Sequence, residues 1–335
     1  MDARRVPGAY GAVMGKYINP TLHRPIRIII GMTVGAVIGL TGNWKLPMYW
    51  LLFPTIIFIN LPQASFQLVW KLTGKSLFLA FIASVLTDIL ATHPFIVWLI
   101  SSWLCFYAIH DTAKHNNQTS WFFGLISWSL FLILGFSGIS TRSLLADYYW
   151  SFIITVLLMY PIFCLLPSPG LAPQPPENNS SPPLTGNMIC IGIILSLALG
   201  AYLIFNIKDS VFVFITIIGA VMALKKGDVA KYNQRMIGQL SGCVLVGVLV
   251  LITLGQTDQL LVIILGHLLI VSYLVYAFGQ PNNAAALTNA MIGYSVPFIL
   301  YMIPGQPILY NLSIRVIMLC AAGLAILFID LTLQG

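Results

Sequence analysis

Charge is what this chain has least of. Only 7% of its 335 residues are Asp, Glu, Lys or Arg, and Glu177 is its single glutamate. So few charges cannot cover a water-exposed surface, which excludes a soluble domain of this length. Cysteine is sparse as well: Cys105, Cys164, Cys190, Cys243 and Cys320 sit in apolar stretches with no C-x-x-C pair. They read as small apolar residues, which excludes a disulfide or zinc framework. No H-E-x-x-H, G-x-S-x-G or G-x-x-x-x-G-K-[ST] string occurs, so the hydrolases and ATPases that those strings mark are excluded. The N-terminal stretch Pro7 to Lys16 is no apolar h-region, so the first span is expected to act as its own uncleaved signal anchor.

What is present is apolar. Hydrophobic residues make up 59% of the chain and the mean hydropathy is +0.91. Apolar windows fall near 26–42, 46–61, 76–92, 94–110, 121–139 and 149–167, then 187–206, 210–224, 236–255, 259–279, 285–303 and 310–333. With roughly 20 residues per span, these predict an all-α polytopic membrane protein of about 12 transmembrane helices. The expected organisation is a cytoplasmic N-terminal segment (1–25), a six-helix repeat (26–167), a Pro-rich cytoplasmic linker (168–186) and a second six-helix repeat (187–335). Because six is even, both halves enter the membrane with one orientation, the parallel-repeat plan of some transporters.

Charge placement sets the orientation. Alternate loops collect Arg4, Arg5, Lys16, Arg24, Arg27, Lys71, Lys75, Lys114, Lys225, Lys226, Lys231 and Arg235 on one side. The other side holds Lys45, Arg142 and Lys208, while Arg315 falls within a span. Both termini and the linker are therefore expected in the cytoplasm, and the basic excess reads as a topology signal and not as a nucleic-acid footprint. The halves align at an offset of about 164 residues: Lys71-Leu72-Thr73-Gly74 matches Arg235-Met236-Ile237-Gly238 before a third span, and Gly35-Ala36 matches Gly200-Ala201.

Ionisable groups inside spans are costly and are functional candidates for that reason. Asp88, His267 and Arg315 are expected at similar depth in the outward half of the membrane. Asp88 with Arg315 is the simplest neutral pair, and His267 is the side chain suited to proton exchange. The competing reading is that Asp88 and Arg315 snorkel to the interface and that His267 makes a structural hydrogen bond. Trp103 with Tyr107, and Tyr273 with Tyr276, share helix faces that suit a flat apolar substrate, with packing alone as the alternative. Asn289 adds a polar group to the eleventh span. Trp44, Tyr49, Trp121, Tyr149 and Trp150 are read as interfacial anchors. Pro54 and Pro297 interrupt spans and free carbonyls where a cavity can open. Gly31, Gly35 and Gly39, like Gly238 and Gly242, are spaced for close helix contact. His110, Asp111 and His115 invite a metal or acid–base reading, but are better read as a solvated loop between the fourth and fifth spans. No metal site or cofactor is expected.

Leu46-Pro47-Met48-Tyr49-Trp50 opens the second span, and Lys71 and Gly74 precede the third. Arg235-Met236-Ile237-Gly238-Gln239-Leu240-Ser241-Gly242 forms an R-x-x-G-x-x-x-G string in the second half, where the first half has Phe78 at the last glycine position. Together these resemble the fusaric acid resistance-like superfamily, which includes bacterial aromatic acid exporters. The resemblance extends over nearly all of the membrane part, with Tyr49, Trp50, Lys71, Gly74, Arg235, Gly238 and Gly242 on its motifs. It implies a short branch without the cytoplasmic domain, in the bacterial inner membrane, working with a periplasmic membrane-fusion subunit. The expected activity is proton-coupled export of amphipathic or aromatic organic acids or toxic compounds, with no enzymatic step. A passive anion channel and a membrane enzyme or scaffold are the alternatives. The lipid bilayer is the obligate partner, a homo-oligomer is a further expectation, and no nucleic acid is expected.

Overall fold

The structure, a computed structural model, describes residues 22–115, 118–167, 185–205, 218, 229–253, 259–278 and 284–302, with 310, 312–317, 319–321 and 324 beyond them. The predicted N-terminal segment, most of the linker and most of the eighth and twelfth spans lie outside these residues. Within them every ordered element is a helix: α1 (His23–Thr41), α2 (Tyr49–Asn60), α3 (Phe66–Ile89), α4 (Pro94–His115), α5 (Gln118–Phe136), α6 (Thr141–Leu165), α7 (Thr185–Phe205), α8 (Val229–Ile252), α9 (Leu260–Phe278) and α10 (Ala284–Tyr301). Helices satisfy their own backbone groups, which hydrocarbon demands. Six stretches are long and apolar enough to cross a membrane: His23–Thr41, Phe66–Ile89, Pro94–Thr112, Thr119–Phe136, Thr141–Leu165 and Leu260–Phe278.

Several helices start earlier or run longer than their apolar windows. Lys71 and Gly74 lie within α3, not before it, and Tyr149 and Trp150 lie well inside α6. Hydropathy marks the part of a helix that lipid covers, whereas the backbone ladder continues through polar turns. His110 and Asp111 are likewise the last turns of α4 and not a loop. Asp111 is tied down there, accepting from Lys75 Nζ at 2.9 Å and from Trp121 Nε1 at 2.5 Å. Where helices do stop, the cause is local. At the end of α5, Gly138 adopts φ +81°, letting the Gly138 and Ile139 amides return to the Gly135 and Leu134 carbonyls. That is the Schellman arrangement, for which a residue lacking Cβ is suited.

The chain divides into two compact units that do not follow the two sequence halves. In the first unit, α1 packs on α2 and on α9, α2 packs on α10, and α9 packs on α10. The C-terminal parts of α6 and α8 belong to it as well. In the second unit, α4 packs on α7 and on α5, and α5 packs on α7. Ile218, from the predicted eighth span, is buried there and lines a small apolar pocket with Cys105, Leu125, Trp128, Leu195 and Leu199. The second unit also contains α3 from residue 70, the first turns of α6 and the start of α8.

The glycine stripe of α1 shows how the first unit closes. A Cβ on Gly31 would lie 2.3 Å from the Phe58 ring, and one on Gly35 would lie 2.0 Å from the Trp50 carbonyl oxygen. Trp50 O is the carbonyl that Pro54 frees four residues later, so α1 covers it with a Cα face. Tyr49 and Trp50 are buried at 3% and 1% exposure. Both are packing residues, so Tyr49 is not the interfacial anchor expected of it.

Candidate functional site

The candidate site is assembled in the first unit, on α9 and α10. His267 lies on the buried stripe of α9, with Ile263, Ile270, Val271 and Leu274, and is fully shielded. Its Nδ1 is 3.0 Å from Tyr294 Oη on α10. Phe298, one turn further along α10, lies 4.6 Å from the His267 ring and 5.3 Å from Tyr294, so three rings stack into one block. His267 Nε2 lacks a partner within strict hydrogen-bond geometry, and the Met32 backbone of α1 is close enough for a weak hydrogen bond to the ring. A buried imidazole with one nitrogen answered and the other open is costly as a packing residue. Its two ring nitrogens give it one donor and one acceptor, the pair of groups that a proton relay requires.

The position of Tyr294 is set by the R-x-x-G-x-x-x-G string. Pro297 removes the amide that would bond Gly293 O, and α8 covers that gap. Cys243 Sγ lies 3.5 Å from Gly293 O, and a Cβ on Gly242 would come within 2.4 Å of the Tyr294 amide nitrogen. Gly242 therefore lets α8 touch the backbone of α10 at the residue that holds His267. Pro54 and Pro297 both free carbonyls, as expected, and at both places a glycine-bearing helix covers the gap instead of a cavity opening.

The other candidates lie apart from this block. Asp88 is exposed near the end of α3 and accepts from Thr141 Oγ1, at the start of α6, at 2.6 Å. Arg315 is buried in the apolar stretch Leu312–Ala321. Both belong to the second unit. Trp103 and Tyr107 do share a face of α4, with rings stacked at 5.6 Å, and Tyr107 meets Trp121 edge-on. That face is turned outward, with Trp103 67% exposed. Tyr273 and Tyr276 are also on the outer face of α9, the latter 87% exposed, where lipid or another protein surface would meet them. Asn289 is buried on α10. Lys71 is exposed, Gly74 and Gly238 are buried, and Arg235 lies on α8 with its side chain outside the described set. Among the described residues, no three His, Cys, Asp or Glu side chains group to hold a metal.

Sequence reading singled out His267 but not its setting. Tyr294, Met32 and Phe298 are not among the candidates read from the sequence. The available signal was Pro297: a proline in an apolar span marks the turn before it as a place another helix must cover. The same reading placed Arg27 among the charges of a loop, whereas it is 1% exposed.

Residues 24–162 match the model of a family described as Protein of unknown function (DUF2955). No curated protein and no solved structure matches the chain. The family match covers most of the first predicted six-span block and brings no activity with it.

Proposed function

We propose that this chain is a secondary transporter of the bacterial inner membrane, exporting amphipathic or aromatic organic acids at the expense of the proton gradient. The observation that carries the reading is His267, fully buried against Tyr294 with Nε2 unanswered. A proton carrier needs a group whose charged and neutral forms are both accessible inside the protein. In this reading His267 carries the proton, Arg315 complements the carboxylate of the cargo, and Asp88 is an acidic way-station held by Thr141. A periplasmic membrane-fusion subunit completes the export path, and both termini lie in the cytoplasm.

The packing supports a duplicated six-span plan. If span n of the first half corresponds to span n plus six, the α1–α9 contact maps onto the α7–α4 contact. The α2–α10 contact maps onto Ile218 against α5. Each unit is then one assembly, built by crossing two helices from one half with two from the other.

The test is uptake by reconstituted protein. Proteoliposomes would be given a proton gradient and radiolabelled 4-hydroxybenzoate, with protein-free liposomes setting the passive leak. Uncoupler-sensitive accumulation against the concentration gradient is expected. Movement only down the gradient would replace the transporter with the channel alternative, and no movement above the leak would overturn both.

A further inference from the structure

The glycine stripe of α1 continues toward its start as two polar residues. His23, Arg27, Gly31, Gly35 and Gly39 are spaced by four and share one face. The face that brings α1 onto α2 therefore carries an imidazole and a guanidinium inside, at 2% and 1% exposure. Snorkelling places the charged end of a long side chain in water, and Arg27 does not do this.

What surrounds Arg27 makes the position more demanding. Its guanidinium carbon is 4.2 Å from the centre of the Phe163 ring, and Phe163 stacks on Phe58 at 5.7 Å. Nε and Nη1 are buried and meet no acceptor. Arg24, whose Nη2 donates to Ile59 O at 3.2 Å, adds like charge beside it. The described residues of this unit include no Asp or Glu at all. His23 has Nδ1 2.7 Å from Pro167 O, while its Nε2 is buried without a partner. A guanidinium stays charged at any pH a cell reaches and is costly to bury without a counter-charge. None of the described residues of the unit supplies that counter-charge.

We infer that Arg27 and His23 form an anion site that takes the oxyanion head of an amphipathic molecule. Two sources share that chemistry: the phosphate of an anionic lipid and the carboxylate of an aromatic acid. A planar guanidinium fork matches either head. The site does not depend on transport, because it is defined by equilibrium binding.

The experiment uses the full chain in nanodiscs, without any gradient. One arm titrates radiolabelled 4-hydroxybenzoate into purely zwitterionic nanodiscs. The other compares thermal midpoints in zwitterionic discs and in discs containing phosphatidylglycerol. Saturable binding in the first arm, or a midpoint several degrees higher in the second, is expected and identifies the source. Arg27→Gln should lower that binding at least tenfold or remove the lipid-dependent shift, and His23→Gln should lower it a few-fold. If Arg27→Gln does not fold, Arg27→Lys, which keeps the charge but loses the fork, carries the same comparison. Binding unchanged in these variants, or no binding and no shift in wild type, overturns the site. Intact binding with no uptake would overturn only the export reading.

Discussion

The two units each join a pair of neighbouring helices by a buried polar link, with different chemistry. Ser101 and His267, like Trp128 and Tyr294, are separated by one common spacing of 166 residues. In the second unit Trp128 Nε1 donates to Ser101 Oγ at 3.0 Å, linking α5 to α4. In the first, Tyr294 Oη and His267 Nδ1 link α10 to α9 at the same distance. One link joins an indole to a hydroxyl, and the other joins a phenol to an imidazole. Carboxylates divide the opposite way: Asp88, Asp111 and Asp147, the three among the described residues, are all in the second unit. There the ion pair of Lys75 with Asp111, beneath Trp121, closes its charge locally. The first unit instead buries Arg27 and His267 with no acid among its described residues.

The comparison breaks most sharply at the string's final glycine. Gly242 touches the α10 backbone, whereas its counterpart in the first half, Phe78, points outward at 63% exposure. Gly242→Leu places a side chain where only backbone stands within 2.4 Å. The expected cost is at or above the usual overpacking loss of about 1–3 kcal/mol, seen as a lower thermal midpoint or loss of monodisperse protein. Phe78→Leu should stay within about 0.5 kcal/mol of wild type. Equal effects at the two positions would mean that α8 does not seat α10.

A smaller but more specific contrast concerns the polar links themselves. His267→Gln keeps a hydrogen-bonding group for Tyr294 but cannot exchange a proton in the physiological range. Gradient-driven efflux should fall at least tenfold with the folded yield retained. Ser101→Ala should leave efflux within twofold, although it strands the Trp128 indole N–H at a cost of about 1–3 kcal/mol. If both variants transport alike, the proton does not pass through His267.

Some of this division was legible in the sequence. Helical class, membrane placement and the singular position of His267 follow from apolar runs and from the cost of a titratable group inside one. The glycine spacing announced the α1 contact correctly. The crossing of helices between halves was not legible, because hydropathy reports which residues leave water and not which helix they meet. Arg27 was misjudged for a related reason. Charge counting assigns a residue near a span end to the adjacent loop, and only the contact of Gly31 and Gly35 with α2 shows that its face is turned inward. Asp88 and Arg315 suggested each other because neutralisation is a pairwise idea, yet Asp88 is held by a threonine hydroxyl.

The finest test separates the link as structure from the link as device. Tyr294→Phe removes one hydroxyl from a buried pair and leaves the ring block with Phe298 in place. Trp128→Phe removes one indole N–H from the corresponding pair in the second unit. Each loses one neutral hydrogen bond and leaves one partner unmet, so thermal stability should drop by about 1 kcal/mol in both cases. Efflux should not respond equally. Tyr294 fixes which His267 nitrogen is engaged, so its loss should slow gradient-driven efflux several-fold without abolishing it, because His267 itself remains. Trp128→Phe should leave efflux within twofold. A matched loss of stability with unmatched loss of efflux is the signature of a titrating link in one unit and a structural link in the other. Matched losses of both would reduce His267 and Tyr294 to packing.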